Sequence, residues 1–177
     1  SMELLHPGSD NNLAGSWRAS GLIERPFTKR VYFLRGQSEG WRYRPGTSEA
    51  SDPPQRWRED DFPLDKTWLQ AQAGIGFGDG DDNTVLDDMR ESYLTVFSRK
   101  TFNVTNIDDI NELILLITVD AGFYAYINGV QVASYNVNSP DWDAPASIAG
   151  EPTLVERTLE HPGAVLRLGE NVLAVLV

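Results

Sequence analysis

Hydrophobic and polar residues alternate through most of the second half of the chain, which is the pattern of strands with one buried face. The alternation is clearest in SYLTVFSRKTFNV (92–104) and FYAYINGVQVASYN (123–136). Asn128-Gly129, in the middle of the second run, predicts a hairpin because both central residues of a type I′ turn need positive φ. NELILLITVD (111–120) is instead continuously apolar, and it predicts a central strand covered on both faces.

Shorter aromatic and β-branched runs, separated by turn-forming residues, predict further strands. They are RVYFLRG (30–36), GWRYRPG (40–46), TLVERTLE (153–160), AVLRL (164–168) and NVLAVLV (171–177). One helical turn is expected in FPLDKTWLQAQ (62–72), where Asp65 is well placed as an N-cap. About eight strands with regularly spaced turns and minimal helix predict an all-β fold, an antiparallel β-sandwich whose most favoured variant is a jelly roll.

The sandwich is expected to occupy residues 29–177, a length that can bury a core of its own. Residues 1–28 are polar, rich in Gly, Ser and Asn, and weakly periodic. We interpret them as a polar tail or as the end of a preceding domain. The final run, NVLAVLV, stops in what reads as mid-strand, so we expect the chain to be a segment of a larger protein.

Composition narrows the classes of partner. The chain has 15 basic and 26 acidic residues, a net charge of −11, which disfavours nucleic acid and anionic membrane surfaces. It has no cysteine, and disulfides, thiol catalysis and cysteine-bound metals are therefore excluded. No apolar run reaches the length of a membrane span, so we expect no membrane insertion.

Sequence signatures of catalysis are weak. The two histidines, His6 and His161, have no evident nucleophile partner, and no serine lies in a G-x-S-x-G sequence. A glycosidase would need two facing carboxylates, but among 26 acidic residues some will always look paired. We therefore predict no catalytic residue and expect the domain not to be an enzyme.

The segment AGIGFGDGDDNTVLDD (73–88) holds four glycines and five aspartates. It is not a dinucleotide loop, because the third glycine of that motif would fall at Asp79 and an anionic loop repels pyrophosphate. It is not an EF-hand, because Thr84 stands where glycine is needed and Arg90 where glutamate is needed. A looser calcium site and a solvated loop with Asx-turns both remain open. The candidate calcium ligands are Asp79, Asp81, Asp82 and Asp87.

Trp142 differs from the other tryptophans, because it lies in the polar loop NVNSPDWDAPAS (136–147). An exposed ring flanked by acidic and amide groups is what sugar recognition uses. Trp142, Tyr135 and Asn136 are therefore candidate carbohydrate contacts, since the hairpin at Asn128 brings the last two to the same loop region. The alternative is that Trp142 folds back as a lid on the end of the sandwich. Three other tryptophans lie beside apolar positions and are predicted to be core: Trp41, Trp57 and Trp68.

Several stretches together resemble the galactose-binding-like jelly-roll modules of large bacterial exported proteins. They are WRYRPGTSEAS, WREDDFPLDKTW, AGIGFGDGDDNTVLDDM, YLTVFSRKTFNV, DAGFYAYINGVQVA and GENVLAV, and they cover about residues 29–177. Trp57, Asp61, Phe62 and Trp68 match the W…DF-D-x-x-W pattern of sugar-binding domains of this fold, with Asp65 where the family usually has its second acidic residue. Such modules often accompany lamin-tail domains and polysaccharide-degrading enzymes.

The resemblance implies a non-catalytic accessory module that binds carbohydrate through loops at one end, in a fold that frequently carries structural calcium. It implies a secreted or cell-surface location in a larger bacterial protein, with a polysaccharide or glycan and the neighbouring domains as partners. A purely structural spacer or interaction domain without a sugar ligand is the alternative function. A glycoside-active enzyme is the third.

Overall fold

The computed structural model describes residues 2–4, 17–19, 30–78, 80, 82–148 and 152–177. The chain divides into two compact units, Ser1–Val31 and Tyr32–Val177. In the first unit, strand β1 (Met2–Leu4) pairs antiparallel with β2 (Trp17–Ala19). The predicted boundary between residues 28 and 29 lies outside the described residues.

The second unit is built almost entirely from strands. They are β3 (Trp41–Pro45), β4 (Leu69–Ala71), β5 (Ile75–Gly76), β6 (Thr84–Val85), β7 (Val96–Val104), β8 (Leu113–Val119), β9 (Phe123–Ile127), β10 (Val130–Tyr135), β11 (Thr153–Leu159) and β12 (Gly169–Leu176). Two short 3₁₀ turns, Arg56–Arg58 and Pro162–Ala164, are the helical elements of the described residues. None of the described helices is long and apolar enough to cross a membrane.

Two antiparallel sheets form the sandwich. The larger has six strands in the order β10-β9-β12-β7-β3-β4, and the smaller pairs β11 with β8. The chain passes from the larger sheet to the smaller and back twice, at β7-β8-β9 and at β10-β11-β12. This arrangement confirms the predicted all-β antiparallel sandwich of the jelly-roll class. The short pair β5-β6, which is parallel, is an addition to that plan.

An apolar cluster fills the space between the two sheets. Because side chains on a strand point alternately to the two faces, every second residue of β7, β9 and β12 faces this space. Its buried members include Phe102, Val104, Val119, Phe123, Ala125, Ile127, Val155, Leu173 and Val175. Trp41 is partly buried against the same cluster.

A second cluster covers the opposite face of the six-stranded sheet, which we call the outer face. Trp57 is its centre, with its ring centroid 4.9 Å from that of Phe97, 6.1 Å from Tyr126 and 6.2 Å from Trp68. Trp57 and Trp68 are both buried, which confirms their prediction as core. The loop that carries the first 3₁₀ turn therefore forms a third layer over the sheet.

The predicted hairpin is confirmed. Asn128 and Gly129 have φ values of 49° and 84° between β9 and β10. The helical turn predicted in residues 62–72 is not formed, because the segment makes a single non-helical turn. The Asp65 carboxylate closes that turn by accepting hydrogen bonds from the N–H and the hydroxyl of Thr67.

Three strand predictions are wrong. Residues 30–36 form bends and a turn. Residue 164 ends the second 3₁₀ turn, and residues 165–168 follow it without forming a strand. β8 is not a covered central strand, because its strand partner in the described part of the chain is β11 alone and its residues alternate between partly buried and exposed. Ile114 and Leu116 are 38% and 55% exposed. A continuous apolar run therefore does not by itself show that both faces of a strand are covered.

Candidate functional site

A polar cleft opens on the outer face of the six-stranded sheet. Its floor includes Arg42 of β3 and Arg99 of β7, which are directly paired across the two strands and therefore share a face. Its volume is about 280 Å³. The residues that line it are Gly40, Arg42, Asp60, Phe62, Leu64, Arg99, Lys100, Thr101 and Glu170.

Arg99 fixes one wall of the cleft. It is buried on β7, and its guanidinium donates hydrogen bonds to the carbonyl oxygens of Trp57 and, at 2.9 Å, Glu59. The same guanidinium lies 5.3 Å from the centroid of the Phe62 ring. Burial lowers the pKa of Arg99 to about 10, with the nearby Arg56 as a second cause. Arg99 therefore anchors the loop of residues 56–62 to the sheet, and backbone carbonyls rather than a bound carboxylate solvate its charge.

The acidic residues of this loop are engaged in ion pairs. Arg56 donates to Glu59 at 2.7 Å and to Asp61 at 2.6 Å, and the hydrogen bond from Arg56 lowers the pKa of Asp61. Asp60 accepts from Arg167 at 2.5 Å. The carboxylates on this side of the cleft are therefore already matched with cations.

The cations that line the cleft, unlike these acids, are not paired with opposite charges among the described residues. Lys100 donates to the carbonyl oxygen of Glu39 at 2.6 Å, and Arg99 donates to carbonyls as described. Among the residues that the structure describes, the Arg42 guanidinium has no hydrogen-bond or ion-pair partner. Three cations thus line a cleft whose acids are Asp60, which is bound to Arg167, and Glu170.

The three predicted carbohydrate contacts do not meet on one surface. Trp142 is partly buried against the outer-face cluster, and its carbonyl oxygen accepts a hydrogen bond from the Thr95 hydroxyl. Tyr135 packs against the cluster between the sheets, with its ring centroid 6.5 Å from that of Phe123. Trp142 therefore packs against the protein, as the lid interpretation expects, and its role as a sugar contact stays a prediction.

Asn136 is occupied within the fold. Its side-chain amide donates to the carbonyl oxygens of Ala121, at 2.8 Å, and Ile148, at 2.6 Å, and accepts from the N–H of Ile148 at 3.1 Å. Both N–H groups of the amide are thus used to join two loops. The residue ties the loop of Trp142 to the end of β8 and offers no free donor to a ligand.

Two buried polar atoms lie at the outer-face cluster, one on Tyr126 and one on Arg58, which stacks on the Tyr126 ring. The Tyr126 hydroxyl and the Arg58 Nε have no hydrogen-bond partner within the described residues. The Arg58 guanidinium stacks on the Tyr126 ring, 4.1 Å from its centroid. Burial raises the pKa of Tyr126, and burial, with Asp141 next, raises the pKa of Glu49. Buried polar atoms of this kind usually have a partner, so these two mark a second polar feature of the outer face that the cleft lining does not include.

The predicted calcium ligands are only partly described. Asp79 and Asp81 lie outside the described residues, and Asp87 is exposed. The Asp82 carboxylate lies so close to Gly76 that a Cβ there would be 2.7 Å from one of its oxygens. No group of three or more acidic or histidine side chains is placed to hold a metal in the part of the chain that is described. The calcium site stays a prediction.

Sequence reasoning missed the cations of the cleft. Arg99 is a charged residue on the same parity as buried Phe97, and that placement is a signal because a charge on a buried strand face needs a partner. Arg42 carries no such signal, because its position opposite Arg99 follows from strand pairing across more than fifty residues of sequence.

A scan against protein-family models finds no match, and a search of curated proteins finds none either. Solved structures do match. A β-glucuronidase from an uncultured Clostridium species has a TM-score of 0.52 at 16% identity, over 84% of this chain and 24% of that chain. A Bifidobacterium dentium β-glucuronidase complexed with coumarin-3-O-glucuronide has a TM-score of 0.48 at 25% identity, over 78% of this chain and 19% of that chain. A Ruminococcus gnavus β-glucuronidase has a TM-score of 0.49 at 14% identity, over 83% of this chain and 23% of that chain.

The first of these matches shows a shared fold. It supports the jelly-roll architecture that the strand order displays. The chain spans about a quarter of the length of that enzyme, 24%, so the likeness concerns one domain of a larger protein.

Proposed function

We propose that this chain is a non-catalytic, carbohydrate-binding-type accessory domain of a larger exported protein, and that the outer-face cleft is where the sugar binds. The cleft carries the proposal, because it combines unpaired polar groups with a partly buried aromatic ring, Phe62, in a concave surface. Sugar sites need both features, since hydroxyl groups require hydrogen bonds and the faces of the ring are apolar. The fold shared with part of a β-glucuronidase is a second support.

The carboxylates of the cleft favour binding over hydrolysis. Glycoside hydrolysis uses two carboxyl groups that flank the scissile bond. Asp60 is bound to Arg167 at 2.5 Å, so of the two acids lining the cleft one is already occupied. A non-catalytic role predicts no turnover of a panel of chromogenic glycosides by the purified chain. Measurable turnover would contradict it.

Affinity electrophoresis in gels that contain individual polysaccharides tests the location of the site. Thr101 is an exposed residue of β7 that lines the cleft, and Thr101→Trp should fill the cleft and abolish any retardation. Thr158 is an exposed threonine of β11 on the other sheet, so Thr158→Trp is the matched control and should leave retardation unchanged. Equal retardation of both variants would place the site elsewhere.

A structural spacer or interaction domain is the second candidate, and one observation favours it. Ile114, Leu116 and Leu154 are exposed at 38%, 55% and 64% on the smaller sheet. By strand alternation and register they share its outward face. Retardation by none of the polysaccharides would favour this function.

A further inference from the structure

We infer that the cleft selects sugar residues that carry a carboxylate, with Arg42 as the group that receives it. This inference rests on the proposed function and adds the chemical class of the ligand. It follows from the charges on the cleft wall, the partners those charges already have and the size of the space.

The guanidinium of Arg42 supports this inference most directly. A guanidinium presents a planar set of N–H donors that matches a carboxylate, and within the described residues no acceptor of the protein uses those of Arg42. The chain has 26 acidic residues against 15 basic ones, so acidic partners are plentiful, yet none of the acidic residues that the structure describes pairs with Arg42. With respect to the described part of the chain, its donors are therefore free for a ligand.

The two neighbouring cations add to the local positive potential. Lys100 and Arg99 line the same cleft and donate to backbone carbonyls, which leaves their charge without a bound anion. The lowered pKa of Arg99, caused by burial, indicates that its charge is held at a cost in free energy. An anion in the cleft would relieve part of that cost, because opposite charges attract strongly where water is excluded.

The remaining wall fits a single sugar ring better than a bare anion. Phe62 and Leu64 supply apolar surface, and Thr101 and Glu170 supply groups for hydroxyl contacts. A volume of about 280 Å³ lies just below the roughly 300–1,000 Å³ of small-molecule sites. The space therefore suits one residue of a glycan.

Paired sugars that differ only at C6 test the inference. The protein is titrated with sodium D-glucuronate against D-glucose, and with sodium D-galacturonate against D-galactose, followed by NMR chemical shifts at constant ionic strength. At least one acidic sugar should bind about ten- to a hundredfold more tightly than its neutral partner, which is the range for one charge-assisted hydrogen bond. Sodium acetate, a carboxylate without a sugar ring, should bind more weakly than that acid.

Arg42→Gln should remove this preference. The matched control is Arg157→Gln on β11, an exposed arginine of the other sheet whose loss changes the net charge equally. The control should keep the preference, and thermal melts of both variants check that they fold. A preference lost equally in the two variants would reflect net charge alone and would overturn the assignment to Arg42.

The outcomes separate the two proposals. If neutral sugars bind as tightly as acidic ones and Thr101→Trp blocks both, the selectivity is refuted and the proposed function stands. If acetate binds as tightly as the acidic sugars, the cleft is a general anion site and the inference fails. If no sugar or polysaccharide binds at all, both proposals fall.

Discussion

Asn171 provides the sharpest test of how the sandwich is held together. It is completely buried at the start of β12. Its Oδ1 accepts from the side-chain amide of Asn128 and from the N–H of Arg167, both at 2.8 Å. Its Nδ2 donates to the carbonyl oxygens of Arg167, at 2.8 Å, and Gly169, at 2.9 Å. One side chain thus joins the β9-β10 hairpin to the segment that leads into β12.

Asn171→Leu keeps the approximate volume and removes all four hydrogen bonds. Each polar group that is left buried without a partner costs about 1–3 kcal/mol. The bond to Asn128 is buried and the other three are partly buried, so water can reach some of the freed groups and leucine adds apolar burial. We expect a net loss of about 3–4 kcal/mol in the free energy of unfolding, a large share of the roughly 5–15 kcal/mol typical of a domain.

Urea denaturation measures the effect, with the midpoint falling and the slope unchanged. A thermal melt should fall by about 10 °C, since 1 kcal/mol shifts the midpoint of a domain of this size by roughly 2–4 °C. Asn103→Leu is the control, because Asn103 is exposed on β7 beside β12, and it should change stability by less than about 0.5 kcal/mol. A loss below about 1 kcal/mol for Asn171→Leu, or an equal loss in the control, would refute the reasoning.

Three further predictions concern the loops. In a thermal melt, Gly46→Ala should show a loss of stability of about 1–3 kcal/mol from overpacking, because a Cβ there meets the Thr95 hydroxyl and lies 3.0 Å from the Trp142 carbonyl oxygen. Gly36→Ala is the control and should be neutral, because a Cβ at Gly36 enters open space. Burial, and after it the negative charge of Asp141, raises the pKa of Glu49 in the folded protein. Protonated Glu49 therefore favours the folded state in acid, and this contribution to the free energy of unfolding is lost as pH rises through the folded pKa. Glu49→Gln should therefore raise the melting temperature at neutral pH and leave it unchanged below about pH 4, and a gain that is the same at both pH values would contradict this. If the aspartates of residues 79–88 bind calcium, calcium at a hundredfold over Kd should add about 2.7 kcal/mol to the free energy of unfolding, and EDTA should remove this gain. A thermal melt unaffected by millimolar calcium would exclude a tight site.

The sequence locates the long strands well. β7, β9, β10 and β12 lie where alternation or apolar runs predict them, because a half-buried strand needs a period of two in its own residues. The errors at 30–36, 164–168 and β8 have a common cause. Short apolar runs show that burial of their side chains is favourable, but the segment that covers them is distant in the sequence.

The candidate site was less accessible to prediction. The sequence selected Trp142, Tyr135 and Asn136 from residue type and proximity, and the fold commits Asn136 to the carbonyls of Ala121 and Ile148 and separates the two rings. The cleft cations were missed because they come from two different strands. Residue type indicates what a side chain can do, and its neighbours decide whether it is free to do it.

By itself, the sequence determined the all-β class, the hairpin at Asn128-Gly129 and the burial of Trp57 and Trp68, because these depend on local period, turn chemistry and apolar surface. Only the tertiary structure decided that Arg42 lies opposite Arg99 and that Asn128 bonds to Asn171. Those contacts join positions more than forty residues apart in the sequence. They are products of strand order and register, which no local pattern in the chain encodes.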